Sequence, residues 1–397
     1  MALGSSMASY DLKRLWFATL LSYVALGFMS PLLPIYMSHR GLSPLNIGLV
    51  ASLATLIAII PVAIMGRISD IINREKLQGM LGASLALLTV IYTYASSLLQ
   101  FMVLHPAYIG LAFSYMTLSG AVAMDYIKTK RGTEFGKFRT SGAIGWIFGP
   151  FIGGLMADSL GFPSVFLSSS LFYFVSALLF WIGGSRKRRI HKEWQFKISP
   201  HVEAFKKVLT NRAAYTLYAS VFMAWISTPA YYTFLPLFMT EEIGTSRFLS
   251  SLAFSVTPFA EVPAMLYLGS LSDRIGRKRV IALCLAAYPV RYVLTVSSGN
   301  PWLIIAAQLL HGFTFGGLYV VSVSYLSETV DEDLKGLALS LYSINSNVGR
   351  FIGNYLLGFL VDNYGYAPMY YAATLISAFS IPILVLLSRQ NSQRKHE

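Results

Sequence analysis

Twelve apolar segments, most of them about 20 residues long, recur along this sequence of 397 residues and are separated by short polar loops. A helix of roughly 20 apolar residues crosses a hydrocarbon core of about 30 Å, and lipid offers the backbone no other hydrogen-bond partners. The predicted spans are 15–37, 47–66, 77–98, 101–127, 139–160, 163–183, 213–239, 248–271, 279–298, 302–327, 336–360 and 366–388. With 55% hydrophobic and only 12% charged residues, the chain is predicted to be an all-α integral membrane protein.

The positive charges lie in alternate loops. These basic clusters are 13–14, 67–76, 128–137, 185–192, 274–279, Lys335 and 394–395, whereas the remaining loops contain only Arg40 and Arg247. Cytoplasmic loops carry the excess of Lys and Arg. We therefore expect a multi-pass protein of the cell membrane with both termini in the cytoplasm. The net charge of +13 does not indicate a nucleic-acid partner, because the clusters flank apolar spans.

The spans divide into two sets of six around a basic, more polar stretch. We predict a cloning remnant at 1–6, a first six-helix bundle at 7–183, a cytoplasmic linker at 184–212, a second bundle at 213–388 and a cytoplasmic tail at 389–397. The linker is expected to lie along the inner membrane surface.

An internal repeat relates the two sets. GRISDIINREK (66–76) and GSLSDRIGRKR (269–279) place Gly66 and Asp70 opposite Gly269 and Asp273, each pair 203 residues apart. Parallel repeats of this kind build transporters around a central site. The pattern resembles the loop motif of the major facilitator superfamily, which implies two pseudo-symmetric six-helix bundles, alternating access and a cytoplasmic gate. The expected gate residues are Gly66, Asp70, Arg74, Gly269, Asp273, Arg274, Gly276 and Arg277.

Three ionisable residues lie near mid-depth in successive spans of the second half: Glu261, Arg291 and His311. A charged group at the bilayer centre costs about 2.5 to 3.5 kcal/mol on insertion scales and marks a functional site by default. A lone intramembrane histidine can also be a buried hydrogen-bonding residue.

The set resembles the coupling and substrate network of the lactose permease type and of related nucleoside and sugar-efflux transporters. The resemblance extends to the fifth span, where Arg139 and Trp146 match sugar-contacting residues, and implies that Asp125 pairs with Arg139. The acid and the lysine that flank the permease histidine are replaced here by Thr314 and Gln308. Proton coupling would therefore depend on Glu261 with His311, or on Asp125 with Arg139.

The fifth span also resembles a motif of proton-coupled exporters. Its residues Gly145, Gly149, Pro150, Gly153 and Gly154 form a face of small side chains. Such a face also serves simply as a helix-packing surface. This motif favours export, although uptake by proton symport remains open.

Further residues are candidates for lining a cavity. Trp225, Tyr231 and Tyr232 offer aromatic faces for stacking, and Asn345, Asn347 and Arg350 place polar groups in the eleventh span. Arg350 either lines the cavity or extends to the membrane interface.

The expected function is proton-coupled transport of a sugar, nucleoside or drug-like solute by a monomer. An uncoupled facilitator or a lipid flippase of the same fold is the alternative. We expect no enzyme activity, metal or cofactor, because the sequence contains no metal cluster, nucleophile constellation or phosphate-binding loop. The expected partners are the solute, protons and membrane lipid, with the proton gradient as the driving force.

Overall fold

The computed structural model describes residues 2–183 and 201–393, and these are helical nearly throughout. The basic run 185–192 and residues 394–397 of the predicted tail lie outside the described residues. The predicted all-α class is confirmed for the part of the chain that the structure describes.

The first half contains eight helices. They are α1 (Ala2–Met29), α2 (Leu32–His39), α3 (Pro44–Ile57), α4 (Ile59–Ile71), α5 (Arg74–Tyr92), α6 (Leu98–Tyr126), α7 (Arg131–Ser159) and α8 (Phe162–Gly183). Local chemistry sets several of these bounds. Asn73 accepts a hydrogen bond from the backbone of Lys76 at the start of α5, and Ser97 forms a capping box with Gln100 at the start of α6. Such caps satisfy the free N–H groups of a first turn.

The second half is more irregular. Its helices are α9 (His201–Thr210), α10 (Arg212–Ser227), α11 (Pro229–Tyr232), α12 (Phe234–Leu237), α13 (Arg247–Ser255), α14 (Thr257–Ile275), α15 (Arg277–Val296), α16 (Pro301–Ala307), α17 (Leu318–Thr329), α18 (Lys335–Tyr364), α19 (Tyr366–Ala378) and α20 (Ser380–Gln393). Between α16 and α17 the tenth predicted span winds as a 3₁₀ turn, Gln308–Leu310, and a π segment, Gly312–Gly317. His311 lies at their junction. Departures from α geometry of this kind are frequent at functional sites.

Nine helical stretches among the described residues are long and apolar enough to cross a membrane. The other three predicted spans, 77–98, 213–239 and 336–360, are helical over most of their length but do not meet that criterion, and α5 ends at Tyr92. Prolines 229 and 236 interrupt the second of these, and the third carries several Asn and Ser residues along α18. Polar residues within a span are tolerated where they face protein or a cavity.

The contacts group the chain into two compact units. The first unit is Met1–Leu42, Leu53–Glu193 and Gly244–Ser255, and the second is Ser43–Ser52, Trp194–Ile243 and Val256–Glu397. The start of α3 therefore belongs to the second unit and α13 to the first, which differs from the predicted bundle boundaries. Small residues allow both placements: a Cβ on Gly48 would lie 3.3 Å from Cα of Gly358 in α18, and one on Gly154 would lie 2.8 Å from Cβ of Ser251 in α13.

Each unit has its own core. In the first, α1 packs against α7 and α8, and α5 packs against α8. In the second, α10 packs against α18, α15 packs against α19, and α14 packs against the π segment 312–317. This last contact brings the eighth and tenth predicted spans together around His311.

Candidate functional site

The second unit brings Glu261, Arg291 and His311 into one hydrogen-bonded cluster. Nη1 of Arg291 lies 2.9 Å from Nδ1 of His311, and Nε2 of His311 lies 3.3 Å from Oε1 of Glu261. Arg291 and His311 are buried, with 2% and 4% of their surfaces exposed. The three predicted ionisable residues thus form a continuous chain from α15 through the junction at His311 to α14.

The two residues that depart from the permease pattern hold the arginine. Nε of Arg291 donates to Oε1 of Gln308 at 2.9 Å, and Nη1 also donates to Oγ1 of Thr314 at 3.1 Å. Gln308 is oriented in turn, because its Nε2 donates to Thr295 and to the carbonyl of Ile304. From the sequence, these two positions could be recognised only as places where the permease has charged residues. The packing of the helices shows that both hold Arg291.

The geometry determines which nitrogen of His311 carries the proton. A guanidinium group has only N–H donors, so Nδ1 of His311 accepts from Arg291. The ring proton of the neutral imidazole is therefore on Nε2, which faces the carboxylate of Glu261. The hydroxyl of Tyr232 lies 3.3 Å from the same Nε2 atom. The arrangement holds a neutral histidine between a cation and an acid.

Aromatic rings enclose this cluster. Cζ of Arg291 lies 4.1 Å from the centre of the Tyr231 ring, which is 4.7 Å from the rings of both Tyr232 and His311. Phe315 stacks on His311 with an angle of 3° between the planes. A cation over an aromatic face is attracted to it, most strongly where water is excluded.

A second guanidinium lies beside the same aromatic residues. Cζ of Arg350 is 5.1 Å from the centre of the Trp225 ring and 5.7 Å from that of Tyr232. Arg350 is half-buried and therefore turned into the second unit rather than extended along the helix surface. Asn345 and Asn347 are half-buried on the same helix, and Asn345 donates to the carbonyl of Tyr218.

The first-unit residues do not form the predicted network. Asp125 pairs with Arg74, whose Nη1 lies 3.0 Å from Oδ1, so the expected pairing of Asp125 with Arg139 is wrong. Asp125 ends the fourth predicted span beside the start of α5, whereas Arg139 lies on α7. Trp146, also on α7, is half-buried.

The loop motif builds the same triad twice. Arg74 lies 3.2 Å from Asp70 and 3.0 Å from Asp125, and in the second unit Arg277 lies 2.6 Å from Asp273 and 2.7 Å from Glu328. Sequence reasoning missed Glu328, although it follows Asp125 by the 203 residues of the repeat. Gly276 adopts φ +96°, a conformation that glycine enters without strain, and Arg274 is exposed. Gly66 and Gly269 complete the motif in α4 and α14.

A buried ion pair in the first unit was also missed. Nη2 of Arg14 lies 2.9 Å from Oε2 of Glu75, and the hydroxyl of Tyr126 donates to the other oxygen of the same carboxylate. Sequence reasoning treated Arg14 only as a marker of orientation. The pair joins α1, α5 and α6.

The glycine motif of the fifth span packs tightly within the first unit. A Cβ on Gly149 would lie 2.7 Å from Cα of Gly27, and one on Gly153 would lie 2.8 Å from Cα of Phe28, both on α1. A Cβ on Gly145 would overlap Tyr23. Pro150 lies against Gly27. These glycines permit the close approach that small residues give membrane helices.

The same motif recurs in the second unit. GWIFGPFIGGLMAD (145–158) aligns with GRFIGNYLLGFLVD (349–362), 204 residues later. Gly349 and Gly353 lie against Trp225 and Ile226 of α10, as Gly145 and Gly149 lie against α1. The repeat places Arg350 at the position that Trp146 occupies in the first unit. This second repeat could have been found in the sequence.

Comparison with known proteins decides the family, because residues 12–372 match the MFS_1 like family. The chain belongs to this family. A multidrug resistance protein MdtG of Rahnella sp. (strain Y9602) is 24% identical over 92% of this chain and 90% of its own length. The MdtG of Proteus mirabilis (strain HI4320) is 23% identical over 97% of each.

Solved structures share the fold. The nucleoside transporter NupG has a TM-score of 0.77 at 14% identity, covering 96% of this chain and 98% of its own. A bacterial homologue of the human lysosomal transporter Spinster has a TM-score of 0.76 at 14% identity, covering 96% and 97%. The predicted major facilitator fold is thereby confirmed. The chain is a multi-pass membrane protein of a family of secondary transporters.

Proposed function

We propose that this protein moves a small organic solute across the membrane by alternating access and couples that movement to protons. The Glu261–His311–Arg291 chain carries the proposal. In it, a carboxylate contacts an imidazole, which in turn contacts a guanidinium, all within membrane-spanning helices. Buried charges are costly in lipid and are retained where they serve transport.

Glu261 is the member of this chain that exchanges protons. Its side chain is 20% exposed, against 5% for His311. Ionised Glu261 accepts from Nε2–H of His311, and that contact draws the ring and Arg291 together. A protonated Glu261 loses its negative charge, so its contact with the His311 ring weakens and the charge balance around Arg291 changes.

Export is the direction that we propose. Two observations support it: the relatives above are named for multidrug resistance, and the fifth span carries the exporter-like glycine motif. Proton symport in the uptake direction and an uncoupled facilitator or flippase are the alternatives. We further propose that the proton gradient is the driving force, that both termini are cytoplasmic, and that the protein acts as a monomer without a cofactor.

Flux in reconstituted liposomes tests coupling and direction together. The purified protein is inserted, pH gradients of either sign are imposed, and movement of ethidium, uridine, lactose and naphthalene-2-sulfonate is followed beside proton movement reported by pyranine. We expect one of these solutes to accumulate against its gradient only when protons flow the opposite way. Accumulation with protons flowing the same way indicates symport. Flux that is independent of the pH gradient and gives no pyranine signal contradicts proton coupling.

A further inference from the structure

Three buried N–H donors around the second-unit site have no hydrogen-bond partner among the described residues. They are Nη2 of Arg291, Nε of Arg350 and Nε1 of Trp225. A buried donor without a partner is destabilising, so each one requires an explanation. An unpaired acceptor, Oδ1 of Asn345, lies five residues before Arg350 in α18.

The rings of Trp225, Tyr231 and Tyr232 border these donors as an aromatic surface. Arg350 lies over Trp225 and Tyr232, and Arg291 lies over Tyr231. Tyr231 and Tyr232 are in contact, with ring centres 4.7 Å apart. A Cβ on Gly349 would lie 2.6 Å from Cβ of Trp225, so the glycine that precedes Arg350 allows Trp225 to approach its helix. Close helix packing therefore holds Trp225 beside Arg350.

Positive charge exceeds negative charge at this surface. The ionisable groups that meet there are Arg291, Arg350, Glu261, His311, Tyr231 and Tyr232. Tyrosine is uncharged at neutral pH, and His311 is neutral because its Nδ1 accepts from Arg291. Gln308 and Thr314, the other partners of Arg291, are uncharged. Two guanidinium groups thus face a single carboxylate.

We propose that Arg350 anchors an anionic group of the transported solute, such as a carboxylate, sulfonate or phosphonate, with an aromatic portion against Trp225 and Tyr232. Arg350 is the accessible guanidinium of the two, since it is half-buried whereas Arg291 is 2% exposed. Its repeat position is that of Trp146, so the second unit has a charged anchor where the first has an apolar ring. Arginine matches planar anions with paired donors.

The substrate charge rests on the proposed transport function. Export of an anion is favoured by an interior-negative membrane potential, which acts on the charge directly.

Equilibrium dialysis of the full-length protein in nanodiscs tests this assignment. Naphthalene-2-sulfonate is the probe, naphthalene-2-sulfonamide supplies the same rings without charge, and empty nanodiscs give the background. We expect saturable binding of the sulfonate, tighter than that of the sulfonamide. Arg350→Gln should weaken sulfonate binding by about tenfold to a hundredfold, the range for a charge-assisted hydrogen bond, and leave the sulfonamide unchanged.

Arg40 supplies a matched control. Its Cζ is 5.1 Å from the centre of the Tyr36 ring, the same distance as Arg350 from Trp225, but its Nε is paired with the hydroxyl of Tyr36. Arg40→Gln should not change sulfonate binding. Trp225→Phe, which keeps a ring and removes only the indole N–H, should weaken sulfonate binding about threefold and serves if Arg350→Gln fails to fold.

Equal affinity for sulfonate and sulfonamide, or a sulfonate preference that survives both Arg350→Gln and Trp225→Phe, overturns the proposal. Dialysis needs no pH gradient, so it tests the charge of the solute separately from proton coupling. An anion preference without proton-driven flux would overturn the coupling proposal and leave the anion proposal standing. Coupled flux of uncharged solutes only would overturn the anion proposal and leave the coupling proposal standing.

Discussion

Nη1 of Arg291 lies 2.9 Å from Nδ1 of His311, and this contact assigns different roles to two residues that the sequence presents as equals. The guanidinium only donates, so the histidine stays neutral and has its N–H directed at Glu261. In the coupling that we propose, Glu261 is the group that gains and loses the proton, and His311 transmits the change in charge to the arginine.

Glu261→Gln should abolish transport driven by a pH gradient. Glutamine keeps the size of the side chain and an oxygen for the His311 contact but cannot ionise. Exchange of solute between two sides at equal pH should continue at a rate within about threefold of the wild type, because that exchange needs no proton step. Gradient-driven uptake and equilibrium exchange in the same liposomes check this.

The control is Glu242→Gln, which removes an exposed carboxylate outside the cluster. It should leave both activities intact. Glu261→Gln protein that still accumulates solute in response to a pH gradient would assign the proton to another residue.

Gln308→Leu should destabilise the protein by about 1 to 3 kcal/mol, because it leaves Nε of a buried arginine without its acceptor. Gln78→Leu is the matched comparison. Gln78 is also buried, with 0% of its surface exposed, but its amide donates to the uncharged carbonyl of Tyr115. Its loss should cost less, about 0.5 to 1.5 kcal/mol. Thermal unfolding in detergent compares the two. Equal losses would argue against a special role for the Gln308–Arg291 contact.

Gly353→Ala should destabilise the second unit by about 1 to 3 kcal/mol, the usual cost of overpacking. A Cβ there would overlap the carbonyl oxygen of Ile226, so α10 and α18 must move apart. Gly336, on the same helix, has nothing within 4 Å of the added atom. Gly336→Ala should be neutral or slightly stabilising in the same unfolding measurement, since alanine is the better helix former. Similar effects of the two changes would contradict the packing described.

Arg74→Glu and Asp125→Arg should each lower transport, and the double change should restore a large part of it, because the reversed pair recreates the contact. Unfolding measurements are not suited to this test, since an exposed ion pair contributes only about 0.2 to 1 kcal/mol to stability. Initial rates of flux, corrected for protein inserted, measure the effect. Reversal of the Glu134–Lys137 pair, which lies 2.9 Å apart on the surface of α7, should not change transport. Failure of the double change to recover would show that other contacts of Arg74, including Asp70, dominate.

Much of the fold was predictable because lipid leaves the backbone few solutions. Twelve apolar segments, alternating basic loops and the repeated Gly–Asp motif indicated the helical class and the superfamily, and both are confirmed. The irregular seventh and tenth spans were not predicted. Prolines 229 and 236 mark the interruption of the former, but nothing in the residues around His311 predicts the 3₁₀ turn and the π segment.

The site was predictable in part. Depth along successive spans is readable from the sequence, so Glu261, Arg291 and His311 could be selected together. The partner of Asp125 was predicted wrongly, because family analogy paired it with a residue of α7 while packing placed it beside the start of α5. Glu328 and the glycines of α18 were missed, although Glu328 follows Asp125 by 203 residues and Gly349 follows Gly145 by 204.

The sequence by itself determined which segments are apolar enough to be predicted as membrane spans and which charged groups fall within them, because the cost of burying charge in lipid acts residue by residue. The tertiary structure decided which of these groups touch. Only the packing of α14 and α15 around the junction at His311 showed that Gln308 and Thr314 hold Arg291. Only the approach of α18 to α10 placed Arg350 over Trp225. Those contacts depend on how each helix is rotated about its axis and on the close approach between helices that glycine permits. Neither hydropathy nor residue spacing encodes these features.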